Sequence, residues 1–265
     1  MSSRHPSERP GGGTGVLVLS GSSGAVEGDR GRLLAAHGAT ALALQWFGGP
    51  GQQPGPYEVP LETFVEGLDR LAGECDRLAV LGTSFGAEAA LLVAAVDARV
   101  QAVVAVAPSP VVWAGADADG RQTSHWTHRG RPLDFVPFDE SWAPDTDPPA
   151  YRSLYERSLA ADPAAAARAA IPVERIEGEV LVIGGEDDQV WPGADFARAV
   201  AARRTTHGRD TRVVTHPPAG HRVTFPGETP VARGQAMARG GSPEADAELG
   251  AAAWPHVVEL LHLRP

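Results

Sequence analysis

The chain has 265 residues, a formal net charge of −10, and arginine at all 23 of its basic positions. Hydrophobic residues make up 43%, enough for a sizeable core, which excludes global disorder. The acidic balance argues against nucleic acid or an anionic membrane surface as the main partner.

Met1 to Gly13 is polar and Gly/Pro-rich, lacks the apolar core of a signal peptide, and is expected to be flexible. Residues 14–265 are expected to form one domain. Val16-Leu17-Val18-Leu19 is a short apolar strand ending at Gly21-Ser22-Ser23-Gly24. A helix is expected around Arg30 to His37, closed by Gly38, and a buried strand from Thr40 to Gln45. Leu61 to Glu74 carries apolar residues at 61, 64, 65, 68, 71 and 72, which is helical spacing. Leu78 to Leu81 is a strand, and Ala87 to Ala95 a helix. Val100 to Ala107 is a strand ending at Pro108, and Glu179 to Ile183 one ending at Gly184-Gly185. Ala194 to Ala202 reads as a helix, Thr211 to Thr215 as the last strand, and Ala251 to Leu261 as the last helix. Pro226 to Pro243 reads as a long Gly/Pro-rich surface loop.

Short apolar strands alternating with amphipathic helices predict an α/β fold, a mostly parallel sheet with helices on both faces. Ligands then bind beyond the carboxyl ends of the strands. Residues 111–171 break the rhythm. They show no clear strand, are rich in Trp, His, Pro and Asp, and read as a lid-like insertion, partly helical near Tyr151 to Ala170. The insertion is expected to lie over the site; the alternative is a peripheral excursion with its own small core.

Gly82-Thr83-Ser84-Phe85-Gly86 sits between a strand and a helix. A serine on such a turn projects its hydroxyl from a sharp bend, and the helix N-terminus behind it suits developing negative charge. Serine needs a base, and the base needs an acid to hold its tautomer. Both follow later strands: Gly185-Glu186-Asp187-Asp188-Gln189-Val190 and His216-Pro217-Pro218-Ala219-Gly220-His221. Asp188 is the expected acid, with Asp187 as the competing choice. His221 is the expected base, with His216 read as a strand-end residue. The oxyanion donors are expected to be the amides of Phe85 and of Ser22 or Ser23. Trp46 and Phe47 follow the second strand and would wall an acyl pocket or pack as a buried turn. Trp113, His125, Trp126 and Trp191 are further pocket candidates. His125 and His128 lack the carboxylate pattern of a metal site, so no metal and no cofactor are expected. Cys75 is the single cysteine, read as a passive thiol; it permits no internal disulfide and fits a cytoplasmic setting. No apolar run approaches a membrane span. The exclusive use of arginine, with abundant Ala, Gly and Pro, points to a GC-rich bacterial genome.

These motifs together resemble the C-terminal catalytic domain of the acyl-CoA thioesterase / bile acid-CoA:amino acid N-acyltransferase family, a branch of the α/β-hydrolases close to dienelactone hydrolase. The marks run from Leu19-Ser20-Gly21-Ser22-Ser23-Gly24 through Gly82-Thr83-Ser84-Phe85-Gly86-Ala87-Glu88 and His125-Trp126-Thr127 to Gly185-Glu186-Asp187-Asp188-Gln189-Val190-Trp191, Ala219-Gly220-His221 and Gly240-Gly241-Ser242. The resemblance implies Ser84, Asp188 and His221 as a triad acting on acyl thioesters of the acyl-CoA type. The animal members carry an N-terminal β-sandwich domain, and the amino-acid N-acyltransferases use a cysteine nucleophile; Ser84 favours water as the acceptor without excluding an amine or alcohol. A carboxylesterase, a dienelactone hydrolase-like enzyme and a catalytically silent ligand-binding module are the alternatives. A CoA phosphate site would need basic residues near the entrance; Arg121, Arg129 and Arg131 are candidates, with surface solvation the favoured alternative for each. Oligomeric state is left open.

Overall fold

Val16, Leu17, Val18 and Leu19 have no exposed surface. Successive strand side chains point to opposite faces, so a strand buried along its whole length needs cover on both. The computed structural model, which describes residues 1–5, 12–229 and 235–264, supplies that cover. Its elements are β1 (Ser2–His5), β2 (Thr14–Leu19), α1 (Gly28–Ala36), β3 (Thr40–Leu44), β4 (Val59–Pro60), α2 (Glu62–Ala72), β5 (Arg77–Thr83), α3 (Phe85–Val96), β6 (Val100–Val106), β7 (Ala114–Ala116), β8 (Gln122–Ser124), β9 (Trp126–His128), β10 (Arg131–Pro132), α4 (Arg152–Ala161), α5 (Pro163–Arg168), β11 (Glu179–Gly185), α6 (Gly193–Thr206), β12 (Arg212–His216) and α7 (Pro243–Leu260).

The main sheet has seven strands in the order β1-β3-β2-β5-β6-β11-β12. All neighbours are parallel except β1, which runs antiparallel to β3. Leu17, Leu19, Val80 and Val103 pack towards α2, α3 and α6, while Val16, Val18, Leu81 and Val104 pack towards α1 and α7. The chain passes from β2 to β3 on one side, then returns to place β5 on the other. Strand order therefore reverses at β2, and a crevice opens beyond the carboxyl ends of β2 and β5.

Three expectations are corrected. Ser2–His5 is not a flexible leader: it pairs with Ala41 to Leu44 and closes the sheet edge; residues 6–11 lie outside the described residues. The segment 111–171 does contain strands, β7 to β10, but each has only two or three residues, too few for an alternating pattern to register. β9 pairs with β10 and with β4, which anchors the segment to the chain before α2. Helices α4 and α5 lie where the segment was expected to be helical. Finally, the last helix begins at Pro243 rather than Ala251. The Ser242 side chain accepts from the Ala245 amide, and Pro243 occupies the first turn, where its missing N–H costs nothing. The rest of the predicted loop, 226–242, is non-helical where described; 230–234 lie outside the described residues.

Candidate active site

Ser84 sits at the turn from β5 to α3 with φ 57° and ψ −124°. Positive φ is unfavourable for a side chain with a Cβ and persists only where the surroundings enforce it. Here they do. A Cβ at Gly82 would strike the Gly86 carbonyl, and one at Gly86 would strike the Ser20 carbonyl. Only glycine lets strand, helix and first loop approach this closely. The Ser84 amide donates to Val106 O at 2.9 Å, which pins the bend to β6. The Ala87 and Glu88 amides turn back to Ser84 O. Phe85 begins the helix, where amides lack intrahelical acceptors, so its N–H is available to a ligand.

Asp188 follows β11 and is fully buried. Its Oδ1 accepts from the Val190 and Trp191 amides at 2.8 and 3.2 Å, and its Oδ2 lies 2.7 Å from Nδ1 of His221. The His221 amide donates to Arg239 O at 2.9 Å, and the Gly220 amide before it donates to Asp246 Oδ1 at 2.7 Å. The edge of the Trp191 indole meets the His221 ring at 5.5 Å between centroids. Asp187, the competing acid, points elsewhere: its Oδ2 accepts from the Gly241 amide and its Oδ1 from Gln189 Nε2. His216 bonds Glu248 at 2.9 Å and does not line the cavity. No hydrogen bond joins Ser84 Oγ to His221 here; contacts of this kind commonly tighten only around a bound substrate.

Ser84 and His221 border one cavity of about 550 Å³, well within the range of small-molecule sites. Ser22, Ser23, Phe47, Phe85 and His125 line it too, with Phe138, Leu154 and Tyr155 of the 111–171 segment. That segment therefore walls the site. The other four aromatic candidates do not line it, and for Trp46 the buried-turn alternative applies. Trp46, Trp113, Trp126 and Trp191 are buried in the core behind the cavity wall. Their indoles are large enough to fill the space between sheet and insertion. Trp46 contributes indirectly: its Nε1 donates to Ser20 O at 3.0 Å, steadying the loop that carries Ser22 and Ser23. The arginines proposed for a phosphate, Arg121, Arg129 and Arg131, are exposed and lie outside the cavity; Arg121 pairs with Asp117 and Asp119.

Sequence reasoning missed Arg30. Its guanidinium is buried at the cavity edge, with Nη1 donating to Thr83 Oγ1 at 2.7 Å and Nη2 to Val223 O at 2.9 Å. Nε and Nη2 form a forked pair with Glu228 at 2.6 and 2.9 Å, and the cation sits 4.8 Å from the Phe225 ring centre. Arg30 thus ties the residue before Ser84 to the strand of chain after His221. A charged residue one helical turn from buried Leu34 was the available signal. Glu88 was also unassigned. It is fully buried on α3, and its Oε2 accepts from Trp126 Nε1 at 2.9 Å. Burial pushes its carboxyl well above the ordinary value of 4.5.

Among the described residues no cluster of three or more His, Cys, Asp or Glu could hold a metal, and no helix is long and apolar enough to cross a membrane.

The chain is 26% identical over 263 residues to mouse acyl-coenzyme A thioesterase 6, covering 92% of this chain and 58% of that protein. It is 28% identical over 221 residues to mouse acyl-coenzyme A amino acid N-acyltransferase 2, covering 80% and 49%. It spans about half the length of these relatives. Its fold is that of the α/β-hydrolases, as in a dienelactone hydrolase-like promiscuous phosphotriesterase from metagenomic libraries (TM-score 0.51, 18% identity, 98% of this chain and 91% of that one). With residues 60–264 matching its model, the chain belongs to the BAAT / acyl-CoA thioester hydrolase C-terminal family.

Proposed function

We propose that this protein is a serine acyl hydrolase that cleaves acyl-CoA-type thioesters through an acyl-enzyme. The observation that carries the reading is the buried Asp188–His221 pair, 2.7 Å apart, facing the cavity that also exposes Ser84 on its strained bend. Asp188 accepts from Nδ1–H, which leaves the Nε2 lone pair to take a proton. Ser84 Oγ attacks the thioester carbonyl as His221 takes the hydroxyl proton. The oxyanion is held by the Phe85 amide and an amide of Ser22 or Ser23. Collapse breaks the C–S bond, and His221 returns the proton to the leaving thiolate. Water then attacks the acyl-serine with His221 again as base, releasing the carboxylic acid and Ser84.

A second reading, transfer of the acyl group to an amine or alcohol, draws on the likeness to the N-acyltransferase. The test is thiol release from a panel of acyl-CoA thioesters, with Ser84→Ala alongside and product analysis. Thiol and free acid appearing in equal amounts, and lost in Ser84→Ala, support hydrolysis. A conjugate formed only with an added acceptor supports transfer. Fluorophosphonate labelling of Ser84 without thiol release turns the reading towards esters.

A further inference from the structure

We propose that His125 makes the acyl site selective for substrates bearing a hydroxyl near the reacting carbonyl, by accepting that hydroxyl's hydrogen bond on Nε2. The proposal rests on the acyl-hydrolase reading of the same cavity. His125 lies between β8 and β9, is 2% exposed, and borders the cavity. Its ring centre is 4.1 Å from that of Phe85, the residue whose amide is the oxyanion donor. Ser84 and His125 line the same cavity, so an acyl group on Ser84 shares that space with the imidazole.

The tautomer follows from its partner. Nδ1 lies 2.9 Å from the Trp113 carbonyl oxygen, which can only accept, so Nδ1 carries a proton. Burial holds the imidazole down to about 4, so near neutral pH it has no second proton. Nε2 is then an obligate acceptor. It meets no donor among the described residues and is not sealed off by them, so it is the atom His125 presents to the cavity. The ring is also held in place: a flip would break the bond to Trp113, whose carbonyl takes the His125 amide as well at 3.3 Å. Its neighbour Phe85 is apolar, and the same cavity is lined by Phe47, Phe138 and Tyr155, whose hydroxyl can either donate or accept. A plain acyl chain desolvates Nε2 and gives it nothing in return, whereas a hydroxyacyl chain replaces the lost water.

The test compares butyryl-CoA with 2-hydroxybutyryl-CoA and 3-hydroxybutyryl-CoA, and the three matching p-nitrophenyl esters, on wild type, His125→Phe, His125→Leu and His125→Gln. The readout is the ratio of kcat/KM values, not the absolute rate. Wild type is expected to favour one hydroxyacyl isomer by about five- to tenfold. His125→Phe should abolish the ratio, with His125→Leu serving if the phenylalanine variant does not fold. His125→Gln, which keeps an acceptor, should restore part of it. A wild-type ratio near one for both isomers overturns the proposal, as does a ratio that survives in His125→Phe or His125→Leu. The preference appearing on nitrophenyl esters while CoA thioesters are untouched sustains the proposal and overturns the thioesterase reading. Cleavage of neither series overturns both.

Discussion

The cavity has two walls built on different physics. The wall from the sheet loops is held by directed hydrogen bonds: two amides on Asp188, one carboxylate oxygen on His221, and Arg30 joining Thr83, Val223 and Glu228. The wall from residues 111–171 is held mainly by ring packing. Trp113 meets Phe138 and Tyr155 at 5.7 and 4.6 Å, and Tyr155 meets Trp191 at 5.3 Å. Hydrogen bonds impose direction, so the first wall can place atoms for chemistry. Packed rings set shape and volume, so the second wall suits the choice of substrate. Substitutions in the first wall should therefore lower kcat more than those in the second.

The largest expected effect is at Asp188. Asp188→Asn should lower kcat by about a thousandfold or more through loss of the correct His221 tautomer. Asp187→Asn, whose oxygen can still accept from Gly241, should stay within about twofold, measured by thiol release. Equal losses in the two variants would break the assignment of the acid. Next is Arg30→Met, which strands a buried Glu228 carboxylate. Urea unfolding should show a loss of about 3–5 kcal/mol, with kcat reduced as well, and Arg30→Met/Glu228→Gln should recover part of the stability. In the aromatic wall, Trp113→Phe removes volume and the Nε1 bond to Ser109 Oγ at 2.8 Å. It should cost about 1–3 kcal/mol while kcat falls less than in Arg30→Met.

The effect that depends most on conditions is a matter of protons. Above the ordinary glutamate value of 4.5, folded Glu88 keeps a proton that the unfolded chain releases. Its contribution is complete below that value and is lost as pH rises towards its own raised pKa. Glu88→Gln keeps an acceptor for Trp126. It should raise Tm increasingly with pH across that window and match wild type near pH 4. His125 acts in the opposite direction: unfolded, it takes a proton below 6.5, and folded only near 4, so stability falls as pH drops between those values. A Tm gain for Glu88→Gln that is flat with pH would remove the protonated carboxyl from the account.

The hydrogen-bonded wall was the more legible in sequence. Ser84, Asp188 and His221 each follow an apolar run by a fixed, short offset, and parallel strands bring such offsets to one edge. Asp188 was separable from Asp187 only by the Gly-x-x-Asp-x-Val spacing; in the structure it is Asp188 whose Oδ2 lies 2.7 Å from His221 Nδ1. Arg30 and Glu228 are 198 residues apart and share no motif, so nothing local joins them. The aromatic wall was legible as composition but not as position. Trp and His residues marked 111–171 as unusual, yet which ring faces the cavity depends on strands too short for a period. His125 was visible for that reason only as one candidate among several, while Trp113 and Trp126 beside it are core.

Arg30 has a consequence for how the molecule fails on heating. One guanidinium fastens α1, the bend carrying Ser84 and the chain beyond His221. Sub-global opening of α1 would release all three attachments together, long before the central strands separate. Enzymatic output should then decline at a lower temperature than circular dichroism does, and the gap between the two curves would measure how much less tightly α1 is held than the sheet.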